Sequence, residues 1–351
     1  MDKFIGVITS NYLTDTMQEI AQHRPPGAIP FGGRYRLLDF GLSSMVNSGI
    51  RTVGIITPHT YRPLLDHLGA GKEWFLNRKK GGLFILPGLN HGLAAQEIKF
   101  YLKDFSKNIE FLELDSAEHV IVTSCNRVYN SEYREAMAFH ENTSADITML
   151  YKDIKMPLQI NSSAGQGNGY FIEIMIIKKK LLIEICKGYN HIENIDLVDV
   201  ISENTDKLKV YAFPFNGYLG NINSVKSYYE CSLDLLKPEI RKELFMGTQK
   251  IHTKVKDNPP TRYGSEALVK DSLVASGCTI DGNVERSIIF RGVEVMPGAQ
   301  VKNSILMQKC IIGRDVVLEN VILDKMAQVT NKVVVKGQDH SPVVIKKKSI
   351  I

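Results

Sequence analysis

The chain has 351 residues, 44% of them hydrophobic and 23% charged, with a formal net charge of +5. That length calls for two domains and supplies ample apolar material for a sizeable core, in the proportions of a globular protein. The charge excess is too small to argue for nucleic acid as a partner, although it would suit a polyanionic small molecule.

Five cysteines, Cys125, Cys186, Cys231, Cys278 and Cys310, are scattered without a C-x-x-C pair. Structural zinc and a disulfide framework are therefore not expected, and a reducing cytoplasm fits. The opening "MDKFIGVITSNY" reads as a first strand and not as a signal peptide. No window holds the run of apolar residues that a membrane span requires.

Strand and helix signals alternate through the first half. Apolar runs at Phe4 to Thr9, Arg51 to Pro58, Glu118 to Ser124 and Ala145 to Lys152 suit strands buried on both faces. Between them, Leu38, Leu42, Met45 and Val46 fall on one helical face, with Gly49 as the stop. The stretches "AAQEIKFYLKDF" and "SEYREAMAFHE" predict two further helices. Such alternation predicts an α/β domain, a mostly parallel sheet with helices on both faces. Ligands in these sheets bind at the carboxyl ends of the strands. Asn126 lies just past one such end.

A helix over Ser224 to Leu236 follows, and then a polar stretch with Pro259-Pro260 that reads as a linker. The last part has no helical period. Small apolar residues recur at hexapeptide intervals, with glycines at turns. Val284, Val301 and Leu318 are spaced by 17, as are Ile288, Ile305 and Ile322. This predicts stacked coils of a parallel β-helix, which bury together an apolar column that no single coil could bury. An exposed final coil offers a sheet edge for another chain. The expected organisation is an α/β domain over 1–240, a linker over 241–265 and a β-helix over 266–351.

The segment "RPPGAIPFGGRYRLLDFGLSSMVNSGI", Arg24 to Ile50, resembles the bacterial ADP-glucose pyrophosphorylase family, the glucose-1-phosphate adenylyltransferases. The Pro30-Phe31-Gly32-Gly33-Arg34-Tyr35-Arg36 phrase carries the likeness, followed by Asp39-Phe40 and Asn47-Ser48-Gly49. Weaker echoes at Trp74, Phe84 to Pro87, "RVYNSEYREAMAFHENTSADITMLYK" and "FPFNGYLGNINSVKSYYECSLDLL" extend it over nearly the whole chain. The resemblance implies a Rossmann-like nucleotidyltransferase sheet followed by a left-handed β-helix. It also implies a chemistry: glucose 1-phosphate attacks the α-phosphate of ATP and pyrophosphate leaves. Catalysis of that kind is positioning plus charge neutralisation by magnesium. The family holds the metal with two aspartates and cradles the triphosphate with a glycine-rich loop.

This chain departs from that pattern at each part. By the resemblance, the two metal aspartates fall on Asn126 and Asn221. An amide keeps the shape and one carbonyl oxygen but loses the charge that anchors magnesium. The loop after the first strand, "SNYLTDTMQEIAQH", has no glycine to let backbone approach phosphates. The phosphate lysine falls on Pro26, although Arg24 remains. The adenine-contacting residues fall near Leu89 and Asn90, and the following G-T-A-D-A reads Gly92 to Gln96. The stretch between Tyr151 and Tyr170 is too short for the usual strand and its sugar-phosphate lysine.

The chain thus resembles the non-catalytic D-type (GlgD-type) subunits of the family. No catalytic residue and no metal site are expected, and magnesium is expected only in a catalytic partner. That partner would be the catalytic subunit of ADP-glucose pyrophosphorylase in a hetero-oligomer, a tetramer by the resemblance. Neither nucleic acid nor a membrane is expected as a partner. Arg24, Gly32, Gly33, Arg34, Arg36 and His91 are the candidates for a sugar-phosphate or nucleotide effector. Arg34 and Arg36 stand where a helix begins and anions bind readily, whereas Asp39 reads as a structural acid that needs a partner. Two other readings stay open on sequence alone. One is an active nucleotidyltransferase whose metal is held by other carboxylates, such as Asp15 or Glu97. The other is a ligand-sensing binding protein.

Overall fold

The structure is a computed structural model and describes residues 3–11, 17–58, 60–89, 98–114, 116–160 and 169–351. Eight strands form the N-terminal sheet: β1 (Phe4–Thr9), β2 (Thr52–Thr57), β3 (Gly82–Pro87), β4 (His119–Ser124), β5 (Ile147–Lys152), β6 (Leu158–Gln159), β7 (Tyr170–Lys178) and β8 (Val210–Pro214). Their order is β3-β2-β1-β4-β7-β5-β8-β6. The sheet is mostly parallel, as expected. The exceptions are β7, antiparallel to both its neighbours, and β6 on the edge.

Side chains alternate across the sheet and feed two cores. Ile5 and Val7 of β1 face one core, closed by Leu102, Phe105 and Leu182 from helices Leu102–Lys107 and Lys179–Gly188. Phe4 and Ile8 face the other, closed by Leu38, Leu42, Met45 and Ala136 from helices Leu37–Asn47 and Arg134–Asn142. The helix expected in "AAQEIKFYLKDF" starts only at Leu102 in the described part. Asp196 accepts the backbone N–H of Lys99 at 2.7 Å and of Phe100 at 3.3 Å, in a bend that precedes the helix. Between Tyr151 and Tyr170, the two-residue strand β6 is the regular structure among the described residues.

Helix Val225–Asp234 opens on a capping box in which Ser224 and Ser227 bond each other's backbone N–H. Helix Pro238–Phe245 runs into the stretch that reads as a linker. Residues 246–261 carry no regular structure but are strapped to the sheet domain. Asn130 donates to Gln249 O at 2.8 Å and Asn47 to Lys250 O at 3.0 Å.

From Arg262 the chain winds into three parallel five-stranded sheets, the three faces of a left-handed β-helix. The 17-residue spacing is the coil length. Val284 pairs Val301, which pairs Leu318, and Ile288 pairs Ile305, which pairs Ile322. The corners demand positive φ. Only some use glycine: Gly298 at 76° is followed one coil on by Asp315 at 57° and Lys332 at 63°.

The two domains share an apolar cluster in which Phe31, Tyr228 and Leu235 meet Ile288, Phe290, Ile305 and Met307. At its centre the Arg24 guanidinium grips Asp324 through one nitrogen, at 2.7 and 2.6 Å to the two carboxylate oxygens, with both side chains 3% exposed. Removing one partner strands a buried charge, which costs about 3–5 kcal/mol. Arg24→Ala should lower the unfolding free energy in urea titrations by that amount, and Arg24→Met with Asp324→Leu should recover most of it. An unchanged free energy in Arg24→Ala would show that the pair does not hold the junction.

A second buried group ties stability to pH. His140 is fully buried, with Nδ1 2.9 Å from Thr148 Oγ1 and Nε2 3.2 Å from His119 Nδ1. Burial, with His119 and Lys178 adding, pushes its pKa from 6.5 down to about 3. Above pH 6.5 the imidazole is neutral in both states and contributes no pH dependence. Below it the unfolded chain takes a proton that the folded chain refuses, so stability falls with pH by up to about 1.4 kcal/mol per unit. His119, also shifted down by burial, acts in the same direction. His140→Gln should be less stable at pH 7.5 yet lose less than the wild type between pH 7.5 and 5.5 in urea titrations. Equal losses would refute the assignment.

Candidate functional site

The strand ends bring the two asparagines together. Cys125 N–H still bonds Thr9 O at 3.0 Å, so the chain leaves β4 beside the end of β1. Arg127–Val128 then pairs antiparallel with Gly220–Asn221, setting Asn221 opposite Arg127. Ile222 N–H donates to Asn126 O at 3.0 Å. Asn126 is 2% exposed, and its Oδ1 is buried without a hydrogen-bond partner. Asn221 is exposed.

A carboxylate does stand at this edge, from a residue that no sequence motif singles out. Glu173 lies in β7, where the pairing with β5 slips between Phe171 and Met175, and its φ is 62°. It is 1% exposed. Ser124 Oγ donates to Oε2 at 2.6 Å and Arg127 Nε donates to the same oxygen at 3.1 Å. Oε1 forms ion pairs with Arg127 Nη2 at 2.5 Å and with Lys99. Burial alone would raise this carboxyl's pKa, but Arg127, Lys99 and the hydrogen bonds together hold it below the usual range. Arg127 is itself buried, and its Nη1 has no hydrogen-bond partner. The one signal in the sequence was a lone acid inside the apolar run "YFIEIMIIK".

The neighbouring walls are filled by the protein's own groups. Gly27 N–H donates to Ser10 Oγ at 3.1 Å, and Pro26, at the expected phosphate-lysine position, is buried in a short 3-10 turn. Asn11 donates to Leu89 O at 2.6 Å and to Asp104 Oδ2 at 2.9 Å, while Leu89 N–H donates to Asp104 Oδ1 at 2.8 Å. His91, Asn90, the Gly92 to Gln96 stretch, Asp15 and Glu97 lie outside the described residues.

The other candidates sit apart from this edge, at the domain junction. Arg24, expected as a ligand contact, is instead committed to Asp324, a partner 300 positions away that no local pattern could reveal. Gly32 and Gly33, at φ 55° and 80°, make the turn of the hairpin Pro30–Phe31/Tyr35–Arg36. A Cβ on Gly33 would lie 3.6 Å from Ala275 Cβ, so the hairpin is seated against the β-helix. These glycines thus serve the turn and the junction. Arg36 donates to Ala28 O at 3.0 Å and Pro63 O at 3.2 Å, and burial lowers its pKa to about 10. Its backbone N–H is capped by Asp39, whose other oxygen is 2.7 Å from His67 Nε2, so the acid read as structural has two partners. Arg34 is exposed and rests over the Tyr35 ring. Lys325 completes a cationic cluster that the sequence did not suggest. Burial, then Arg36 and Arg24, push its pKa down to about 7.

Known proteins agree with this geometry. A nucleotidyl transferase family model matches residues 16–158, and a GlmU-like C-terminal hexapeptide model matches residues 258–342. The chain is similar to the glycogen biosynthesis protein GlgD of Bacillus subtilis (strain 168), 35% identical over 346 residues that cover 99% of this chain and 96% of that one. It is 36% identical to GlgD of Geobacillus stearothermophilus over 86% of this chain and 83% of the other. A glucose-1-phosphate adenylyltransferase of the same organism is 29% identical, again over 86% and 83%. With a sheet domain, a β-helix, a GlgD relative matched along nearly its whole length and adenylyltransferase relatives along most of theirs, this chain belongs to the glucose-1-phosphate adenylyltransferase family as a GlgD-like member.

Proposed function

We propose that this chain is a non-catalytic regulatory and assembly subunit of glucose-1-phosphate adenylyltransferase, acting in glycogen biosynthesis in the cytoplasm beside catalytic chains. The observation that carries this reading is the neutralised edge, Asn126 and Asn221 beside a Glu173 already paired with Arg127 and Lys99. Magnesium at a phosphoryl-transfer site takes one or two free carboxylates and fills its shell with water and phosphate oxygens. Two amides supply no charge. A carboxylate held by two cations would have to give them up before it could serve a metal. This donor set does not fit magnesium.

The reaction of ATP with glucose 1-phosphate to give ADP-glucose and pyrophosphate then belongs to the partner. Assembly with it, in a tetramer, would use the sheet domain and the open edge of the β-helix, where Val343–Ile345 is the last strand of its face. The purified chain should form no ADP-glucose from ATP, glucose 1-phosphate and magnesium. Mixed with a catalytic subunit of the family, it should co-elute in sizing chromatography and change that subunit's rate or effector response. Clear turnover by the chain alone, or no complex and no change in rate, would overturn the reading.

The junction cluster, with exposed Arg34 two residues before Arg36 in the chain, supports an effector role for Arg34 and Arg36. Arg36 and Lys325 are desolvated like charges, and an anion that bound there would relieve their repulsion. Inorganic phosphate or glucose 1-phosphate should raise the melting temperature of the wild type. Arg34→Ala combined with Lys325→Ala should remove most of that rise. A rise that survives in the double variant would place the anion elsewhere.

A further inference from the structure

The geometry points to Glu173 as a built-in occupant of an anion site: its carboxylate holds the place, among Arg127, Lys99 and Ser124, that a phosphate oxyanion would otherwise take. Three independent features carry this.

The first is position. Ile174 pairs with Thr123, so Glu173 stands level with Ser124 at the carboxyl end of β4, the edge where open α/β sheets bind ligands. The second is backbone. At φ 62° inside a strand, Glu173 adopts a conformation that suits glycine and that side-chain-bearing residues rarely take. Such strain persists where the surroundings over-determine it and clusters at ligand sites. Here the local slip in pairing aims the carboxylate at the two cations. The third is surplus hydrogen-bonding capacity. Arg127 meets the carboxylate through Nε and Nη2, the fork that arginine offers to carboxylate and phosphate alike. Its Nη1 is buried with no hydrogen-bond partner among the described residues, so the guanidinium offers one donor more than the carboxylate takes up. Lys99, with 40% of its side chain exposed, leaves one side open to solvent.

In the wild type an incoming phosphate meets a fixed negative charge and must displace it from both cations. Removing that charge should expose the site. The inference deepens the reading of a non-catalytic subunit and rests on it for the absence of turnover, but its test involves none. The full-length wild type, Glu173→Gly, Glu173→Gln and the double variant Glu173→Gly with Arg127→Gln are titrated with metal-free sodium pyrophosphate by calorimetry and by melting temperature. Glycine suits the backbone at 173, and Glu173→Gln keeps the side chain's shape should Glu173→Gly fail to fold.

The expected result is binding at least about tenfold tighter in Glu173→Gly than in the wild type. That gain should be smaller in Glu173→Gln and lost in the double variant. Pyrophosphate binding at the junction cluster would be common to all four proteins and cancels in the comparison. A folded Glu173→Gly or Glu173→Gln that binds no better than the wild type overturns the proposal, as does a gain that survives Arg127→Gln. Either result would leave the test with a catalytic partner untouched, so the two readings fail separately.

Discussion

A charge taken out of water must be met by an opposite charge or by hydrogen bonds or it costs several kcal/mol, and three buried acids in this chain are arranged under that constraint. Arg24 and Asp324 close the junction between the domains. Asp39, fully buried, meets His67 while capping the helix that begins at Leu37. Glu173 and Arg127 close the edge of the sheet, with Lys99 beside them. In each case one partner lies within or beside a stretch that a nucleotide-binding protein would leave free to meet a ligand. The PFGGRYR hairpin shows the consequence. Its glycines and its Tyr35 are spent on seating it against Leu235, Ala275 and Phe245, and Arg24 just before it is fixed by the β-helix.

The junction also accounts for the two architectures travelling together. The apolar column inside the β-helix closes on itself through Val284, Val301, Leu318 and their neighbours. A second row, Ile288, Ile305 and Ile322, faces the sheet domain and would be an exposed apolar stripe without it. Helix Val225–Asp234 covers that stripe, and Tyr229 OH donates to Asn303 O at 2.5 Å. The outer face of another β-helix sheet is managed differently. Lys270, Glu285, Lys302, Glu319 and Lys336 sit opposite one another in register, alternating in sign. Such cross-strand charge pairs suit a solvent-facing sheet.

What was legible in the sequence follows the range of the interactions concerned. The coil spacing of 17 is a local repeat enforced by parallel register, so residue counting found the correct partners for Val301 and Ile305. The first strands were legible because a short, continuous β-branched run is the pattern of a strand buried on both faces. β7 escaped notice because Glu173 interrupts its apolar run, and that same interruption marks the site. The partner of Arg24 was not legible because it is 300 residues distant. The motif around it kept its shape while its chemistry changed, and a motif reports backbone geometry more faithfully than it reports what a side chain touches. Asn126 and Asn221 lie far apart in the sequence, and the pairing of Asn221 with Arg127 shows that they share one edge.

Glu173 bears on the stability of the strand ends. A site that gathers carboxylates for a metal holds like charges together in the absence of that metal, and this repulsion weighs on the fold. Here the acids at the strand ends are amides, and the remaining carboxylate is internally compensated, with a pKa shifted down and not up. The compensation is incomplete. The strained φ at Glu173 and, among the described residues, the unpartnered Arg127 Nη1 and Asn126 Oδ1 are costs that the ion pairs alone do not explain. A purely structural ion pair gains nothing from a left-handed residue in the middle of a strand. The arrangement makes physical sense as an anion site occupied by the chain's own carboxylate, which a backbone in the left-handed region aims at Arg127 and Lys99.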